Sequence, residues 1–335
     1  MNSTTSIPSI PIEQVAPRFL VRKRRLLITI IASILLLCVS LLLAFHAYIA
    51  WTLARPHIDP LSSNPTLAVG LPFENIIFPS RNGTTHLEGW FIPAASKKTV
   101  IFSHGYGGNR EELWVPLYKL AQELHKQNYN VLMFDYGYVQ PDKSMIVTGG
   151  VQESQELLGA LDFVKKSVGG PVYIWGFSMG AGNALQAALQ SQNDIAGMIL
   201  DSTFLLNPDT LYHNMQQYVD VPKFPSLPLV RLFFPMLNGV SLNQIPYQKV
   251  MNTEYQMPIF FIHGDKDHRA PYEMAQEVYK SQKGNSRSQL WILPSGQHEL
   301  LYRAEPEVYM KRTLTFLNNL SLPFTPGRRV MELTR

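Results

Sequence analysis

The stretch Val172-Tyr-Ile-Trp-Gly-Phe-Ser-Met-Gly-Ala-Gly-Asn-Ala-Leu185 runs from β-rich apolar residues through Gly176-Phe-Ser178-Met-Gly180 into an Ala/Leu segment of helix-forming composition. A strand that turns so abruptly into a helix holds the residue at its apex near positive φ. Glycines two before and two after that apex remove the Cβ atoms that would collide there. The reading lifts the Ser178 hydroxyl out of a sheet. Gly-x-Ser-x-Gly alone is short enough to arise by chance in a flexible loop. The buried-type strand before it and the small-residue helix after it give it weight.

Outward from this stretch the pattern alternates. Apolar runs at 99–103, 130–135, 197–201, 258–262 and 289–293 read as strands. The segments near 111–127, 151–168, 271–282 and 306–320 read as helices between or after them. Continuous apolar strands bounded by helices imply a mostly parallel sheet covered on both faces. At the N-terminal side, 73–78 and 86–92 flank Arg81-Asn-Gly83, a hairpin signal. Residues 204–257 break the rhythm with Pro208, Pro222, Pro225, Pro228, Pro235 and Pro246 among aromatics and leucines, and read as a cap inserted over the C-terminal edge of the sheet.

From Leu26 to Ala54 no residue is charged, and 26–45 alone would cover roughly 30 Å as a helix, the hydrocarbon thickness of a bilayer. The run is longer than the apolar core of a signal peptide, about 7–15 residues, and reads as an uncleaved anchor. Tyr48 and Trp51 suit an interface. Arg18, Arg22, Lys23, Arg24 and Arg25 precede the run and Arg55 alone follows it, so the N-terminus is expected in the cytosol and the large domain on the other side. The expected organisation is a basic cytosolic tail (1–25), a transmembrane helix (26–51), a proline-rich linker (52–72), the main domain (73–320) and a C-terminal tail (321–335). The sequence pI of about 9.0 comes largely from the N-terminal end. Residues 1–55 hold six Lys and Arg against Glu13, which leaves 23 bases and 24 acids in the rest. A near-neutral main domain gives no support to a nucleic-acid partner. Cys38, the only cysteine, lies within the apolar run, so no disulfide framework is available.

A serine hydroxyl is barely ionised at neutral pH and attacks a carbonyl only if a base takes its proton as the bond forms. In an open parallel sheet such partners come from loops at the C-terminal ends of different strands. Two loops carry suitable groups: His263-Gly-Asp265-Lys-Asp267-His-Arg-Ala-Pro271 and Pro294-Ser-Gly-Gln-His298-Glu-Leu300. The order is nucleophile, acid, base.

With Leu87-Glu-Gly-Trp-Phe-Ile-Pro93, Phe102-Ser-His-Gly-Tyr-Gly-Gly-Asn109, Val131-Leu-Met-Phe-Asp-Tyr136 and Leu200-Asp-Ser-Thr-Phe204 added in this order, the chain resembles the α/β hydrolases over 73–320, in particular membrane-anchored serine hydrolases of that superfamily. The resemblance implies an α/β-hydrolase fold, Ser178 as nucleophile, Asp267 as acid, His298 as base, and the backbone N–H groups of Tyr106 and Met179 as oxyanion hole. It implies an acyl ester or lipid-like substrate, cleavage of an ester or thioester, and no cofactor. Peptide or amide cleavage, and acyl transfer to an alcohol, would use the same residues, and the fold also serves non-catalytic binding proteins. Where the family usually has Asp-Tyr-Arg-Gly-Tyr, this chain has Asp135-Tyr-Gly-Tyr-Val, without the arginine.

Other roles are open to several of these residues. Asp265 is an alternative acid, although the usual His-Gly-x-x-Asp spacing favours Asp267. Asp201 also ends a strand, a place where an aspartate more often supports loops. His104 is expected to order the oxyanion loop. His263-x-Asp265-x-Asp267-His268 resembles a metal-hydrolase cluster in part, but an aspartate stands in place of the second histidine.

Overall fold

The computed structural model describes residues 16–140 and 145–320. The tail readings for 1–15 and 321–335 fall outside the described residues, as do residues 141–144 of the stretch that follows Asp135.

The first described element is α1 (Ala16–Leu53), in which residues 26–45 are exposed throughout and carry no charge. It is one helix long and apolar enough to cross a membrane. A short α2 (Pro65–Val69) follows, capped by the Asn64 side chain at its start and by Gly70 in the left-handed region at its end. The hairpin β1 (Glu74–Pro79) and β2 (His86–Ile92) comes next. Then strands and helices alternate: β3 (Thr99–Ser103), α3 (Leu117–Lys126), β4 (Asn130–Phe134), α4 (Val151–Ser167), β5 (Val172–Phe177), α5 (Met179–Ala188) and β6 (Gly197–Asp201). Three helices interrupt the alternation, α6 (Pro208–Gln216), α7 (Lys223–Asn238) and α8 (Tyr247–Asn252). It resumes with β7 (Ile259–Gly264), α9 (Tyr272–Lys280), β8 (Gln289–Leu293), α10 (Leu301–Ala304) and α11 (Pro306–Leu320).

The eight strands form one sheet in the order β1-β2-β4-β3-β5-β6-β7-β8, antiparallel from β1 to β4 and parallel from there to β8. Side chains alternate between faces along a strand, so consecutive residues join different cores. Ile101, Leu132, Ile174 and Phe261 pack with α4, α5 and α9. Val100, Met133, Trp175 and Phe260 pack with α3 and α11. Each buried strand is therefore apolar at nearly every position. In parallel pairing Ser103 lies opposite Gly176 and Phe177 opposite Asp201, which gathers the strand ends at one edge.

Two expectations need correction. The helix expected over 111–127 begins only at Leu117. Asn109 Oδ1 accepts the amide hydrogens of Glu111 and Glu112 in a tight turn, Glu112 adopts φ 35°, and Pro116 caps the helix start. The linker expected over 52–72 is not a free spacer. Its prolines prevent a continuous helix, but its polar groups bond to the domain: Val147 N–H donates to Ala54 O at 2.9 Å, Asn109 Nδ2 donates to Asp59 O at 2.9 Å, and Ser62 donates to Glu111.

A third apolar cluster joins α1 to α6 and α7. Ile49, Ala50 and Ala54 pack against Leu211, Met215, Leu227, Val230 and Phe234. Asn238 adds two polar ties, donating to Ala50 O at 3.0 Å and accepting from Arg55 at 2.6 Å.

Candidate active site

Ser178 stands between β5 and α5 with φ 48° and ψ −116°, a strained conformation for a residue with a side chain. The neighbouring glycines are required by close approach. A Cβ on Gly180 would lie 1.9 Å from Ser103 O, and one on Gly176 would lie 2.7 Å from the Ala181 backbone. Ser178 N–H donates to Asp201 O at 2.9 Å, and Ser178 O accepts from Phe204 N–H at 3.1 Å, so flanking chain segments hold the apex in place.

The two loops read from the sequence meet this serine. His298 Nε2 lies 2.8 Å from Ser178 Oγ, and His298 Nδ1 lies 2.7 Å from Asp267 Oδ2. A carboxylate can only accept, which puts the ring proton on Nδ1 and leaves Nε2 free to accept from the serine hydroxyl. Asp267 Oδ1 accepts from the Arg269 and Ala270 amides at 2.8 Å each, and His263 Nε2 lies 3.1 Å from Oδ2. Burial would push the Asp267 carboxyl up. The hydrogen bonds from His263 and His298 outweigh it and hold the group far below the usual carboxylate range. For His298, burial works downward, but its hydrogen bond to Asp267 and the charges of Glu299 and Asp267 raise it above an ordinary histidine.

The remaining candidates separate by contact. Asp265 accepts from Ser295 N–H at 2.6 Å and pins the histidine loop instead of touching the ring. Asp201 accepts from Tyr309 OH at 2.6 Å and Ser202 Oγ at 2.8 Å, and burial pushes it up to about 6. Tyr106 and Met179 line the same cavity as Ser178 and His298. Met179 opens α5, where helix N–H groups lack intrahelical partners. His104 is buried, with Nδ1 3.0 Å from Gly105 O and Nε2 accepting from Tyr136 N–H at 3.3 Å, and burial lowers it to about 4. It ties the β3 and β4 loops together. Asp135, without the family's arginine in its own loop, faces Arg110, whose amide donates to it at 2.6 Å.

Sequence reasoning missed two carboxyls. Glu112 Oε1 accepts from Gly105 N–H at 2.8 Å, and Glu299 Oε2 accepts from Trp114 Nε1 at 2.7 Å. Both are buried, both reach the space that a Cβ on Gly105 would fill, and Glu299 comes within 3.9 Å of His298 Nε2. Burial and the neighbouring Glu299 raise Glu112 well above the usual range, and burial raises Glu299 too. Only the adjacency of Glu299 to His298 was visible in the sequence. Glu112 carried no signal, because its segment reads as helix.

The cavity over Ser178 is partly open, with about 910 Å³ of empty space when the solvent at its mouth is included. The segment that carries α6 and α7 supplies Leu206, Leu211, Tyr218 and Phe234 to its lining, α5 supplies Asn183 and Gln186, and α1 supplies Leu53. Arg269 contributes the single arginine among the lining residues.

Residues 98–228 match the family profile described as the alpha/beta hydrolase fold. The esterase Pf2001 of Pyrococcus furiosus superposes with a TM-score of 0.65 over 80% of this chain and 98% of that one, at 24% identity. The chain is an α/β-hydrolase-fold protein. Among the relatives of this α/β-hydrolase-fold chain, the uncharacterized protein YfhR of Escherichia coli K12 is 25% identical over 254 residues, 73% of this chain and 80% of YfhR. A monoglyceride lipase of Saccharomyces cerevisiae is 28% identical over 176 residues, 49% of this chain and 51% of the lipase. A lysophosphatidylserine lipase of Danio rerio is 25% identical over 193 residues, 55% of this chain and 47% of that one.

Proposed function

We propose that the protein is a membrane-anchored serine hydrolase that cleaves a carboxylic ester or thioester through an acyl-enzyme on Ser178. The observation that carries this reading is the unbroken line from Ser178 Oγ through His298 to Asp267, 2.8 and 2.7 Å long, at the floor of an apolar cavity. Ser178 Oγ attacks the carbonyl carbon while its proton passes to His298 Nε2, and Asp267 stabilises the imidazolium. The backbone N–H groups of Tyr106 and Met179 receive the oxyanion. Collapse breaks the ester bond, and the His298 proton leaves with the alcohol or thiol. Water then gives a proton to His298 and attacks the acyl carbon, and the acid is released with Ser178 restored.

The relatives named as a monoglyceride lipase and a lysophosphatidylserine lipase, and the mostly apolar lining of the cavity beside Ser178, support a lipid-like acyl substrate. The basic cluster before α1 supports a cytosolic N-terminus with the hydrolase domain on the other side. The bonds that the Ala50 and Leu53 carbonyls accept from the domain support retention of α1 in the mature protein, since cleavage after it would remove them.

Labelling with a fluorophosphonate probe tests the mechanism. The full chain is expected to be labelled, and Ser178→Ala is expected to abolish both labelling and ester turnover, lowering kcat by roughly 10⁴–10⁶ with the fold intact. Near-normal turnover by Ser178→Ala would refute it.

A further inference from the structure

The cap helix α7 is apolar on two sides. Its inner side, Leu227, Val230 and Phe234, packs on the end of α1. Its outer side carries Pro228, Leu232 and Met236 at four-residue spacing, led by Phe224 just before the helical part. All four are exposed, Phe224 by 80% and Met236 by 70%. Residues four apart lie along one line of a helix, so Pro228, Leu232 and Met236 form a continuous apolar stripe, with Phe224 preceding it in the chain, and such a stripe on a protein surface marks a binding face.

The end of α1 sets the level of that stripe. Asn238 joins α7 to Ala50 and Arg55, which places Met236 and Leu237 beside the last turns of the apolar helix. Tyr48 and Trp51, in these last turns of α1, are exposed, amphipathic rings of the kind that sit at lipid headgroups. The same turns of α1 reach the cavity. Leu53 lines it, its carbonyl accepts from Tyr106 OH at 3.0 Å, and Phe234 of α7 and Tyr218 line the wall beside it.

We infer that α7 and the last turns of α1 form a single bilayer-seated surface, and that Ser178 acts on a membrane-resident lipid ester that enters beside Leu53. The occupant is a lipid bilayer because the stripe continues a largely apolar helix whose residues 26–45 are uncharged and all exposed. Entry from the bilayer keeps the acyl chain in apolar surroundings from leaflet to cavity. The choice of substrate rests on the hydrolase reading above, whereas the seating of α7 does not.

Two measurements on the full chain in phosphatidylcholine vesicles keep these apart. In a Cys38→Ser background, nitroxide labels at Leu232→Cys and Met236→Cys are expected to collide with lipid-soluble oxygen more than with an aqueous nickel chelate, and a label at Lys126→Cys to show the reverse. Aqueous collision at 232 and 236 overturns the seating, active enzyme or not. Exclusion of both reagents, as by a second copy of the chain, overturns it too. In the second measurement, Leu232→Glu combined with Met236→Glu is expected to lower turnover of monoacylglycerol in the vesicles at least about tenfold, with turnover of dissolved p-nitrophenyl butyrate within about twofold of the parent. Unchanged turnover of both esters, or a parallel loss of both, overturns bilayer entry. A parent chain that turned over neither ester would sink the Ser178 mechanism and leave the label readout standing.

Discussion

His298 sits between carboxyls with different tasks. Asp267 fixes the ring through Nδ1, and Glu299 stands 3.9 Å from the nitrogen that faces Ser178. A base must be neutral to accept a proton, so a raised histidine places the acidic limb of kcat/KM above the value for a free imidazole. Glu299→Gln removes one of the charges that raise it. The ring then stays neutral to lower pH, and a pH–rate profile is expected to show the acidic limb displaced downward. A limb that stays in place or moves up would exclude Glu299 as a source of the shift. Asp267→Asn is expected to lower kcat by roughly 10⁴ while leaving the serine in place, because the amide can hold the wrong tautomer. Single-turnover kinetics on a dissolved ester measure that loss.

At the scale of the element, the turn from β5 into α5 depends on absent side chains. Gly180→Ala would put a methyl group 1.9 Å from Ser103 O, backbone that cannot yield without moving β3. The variant is expected to lose several kcal/mol of stability or fail to fold, which thermal unfolding or soluble yield reports. A melting temperature equal to the parent's would mean that the turn is looser than described. This element was legible in the sequence because its requirements are local: apolar strand residues, glycines at fixed offsets, then a small-residue helix. The segment 109–116 was not. Its composition suits a helix, but the Asn109 side chain bonds two successive amides and Glu112 is drawn inward to Gly105 N–H, contacts no periodicity announces.

Across the whole molecule, buried carboxyls link stability to pH. Burial pushes Asp135 and Asp201 up to about 6 and Glu156 up to about 7. A carboxyl whose folded pKa lies above its unfolded value stabilises the fold when protonated. Its contribution is complete below the unfolded value, about 4, and is lost as pH rises through the folded one. His104, lowered to about 4, works the other way below about 6.5, so the carboxyl effect is read above that pH. The melting temperature is expected to fall between pH 6.5 and 8. Glu156→Gln, neutral throughout, is expected to reduce that fall, since its side chain accepts from Gly137 N–H in either form. An unchanged slope in the variant would remove Glu156 from the explanation. Deletion of residues 1–55 is expected to strip Ile49, Ala50, Leu53 and Ala54 from the cap cluster and the cavity, and so to lower thermal stability and turnover of even a dissolved ester. Full activity of the deleted chain would show that α1 is a tether only.

The sequence by itself determined the alternation of strands and helices, the serine on its turn, the two loops that supply Asp267 and His298, and an apolar run long enough to cross a bilayer. Each is set by residue periodicity or by a glycine, proline or histidine at a short, fixed distance along the chain. Only the tertiary structure decided that Asp267 and not Asp265 meets the histidine, that Arg110 faces Asp135, that Glu112 and Glu299 converge on Gly105, and that the end of α1 walls the cavity. These contacts join segments far apart in the chain, and which of several similar side chains fills a buried position follows from packing and polar pairing in three dimensions, which no local pattern encodes.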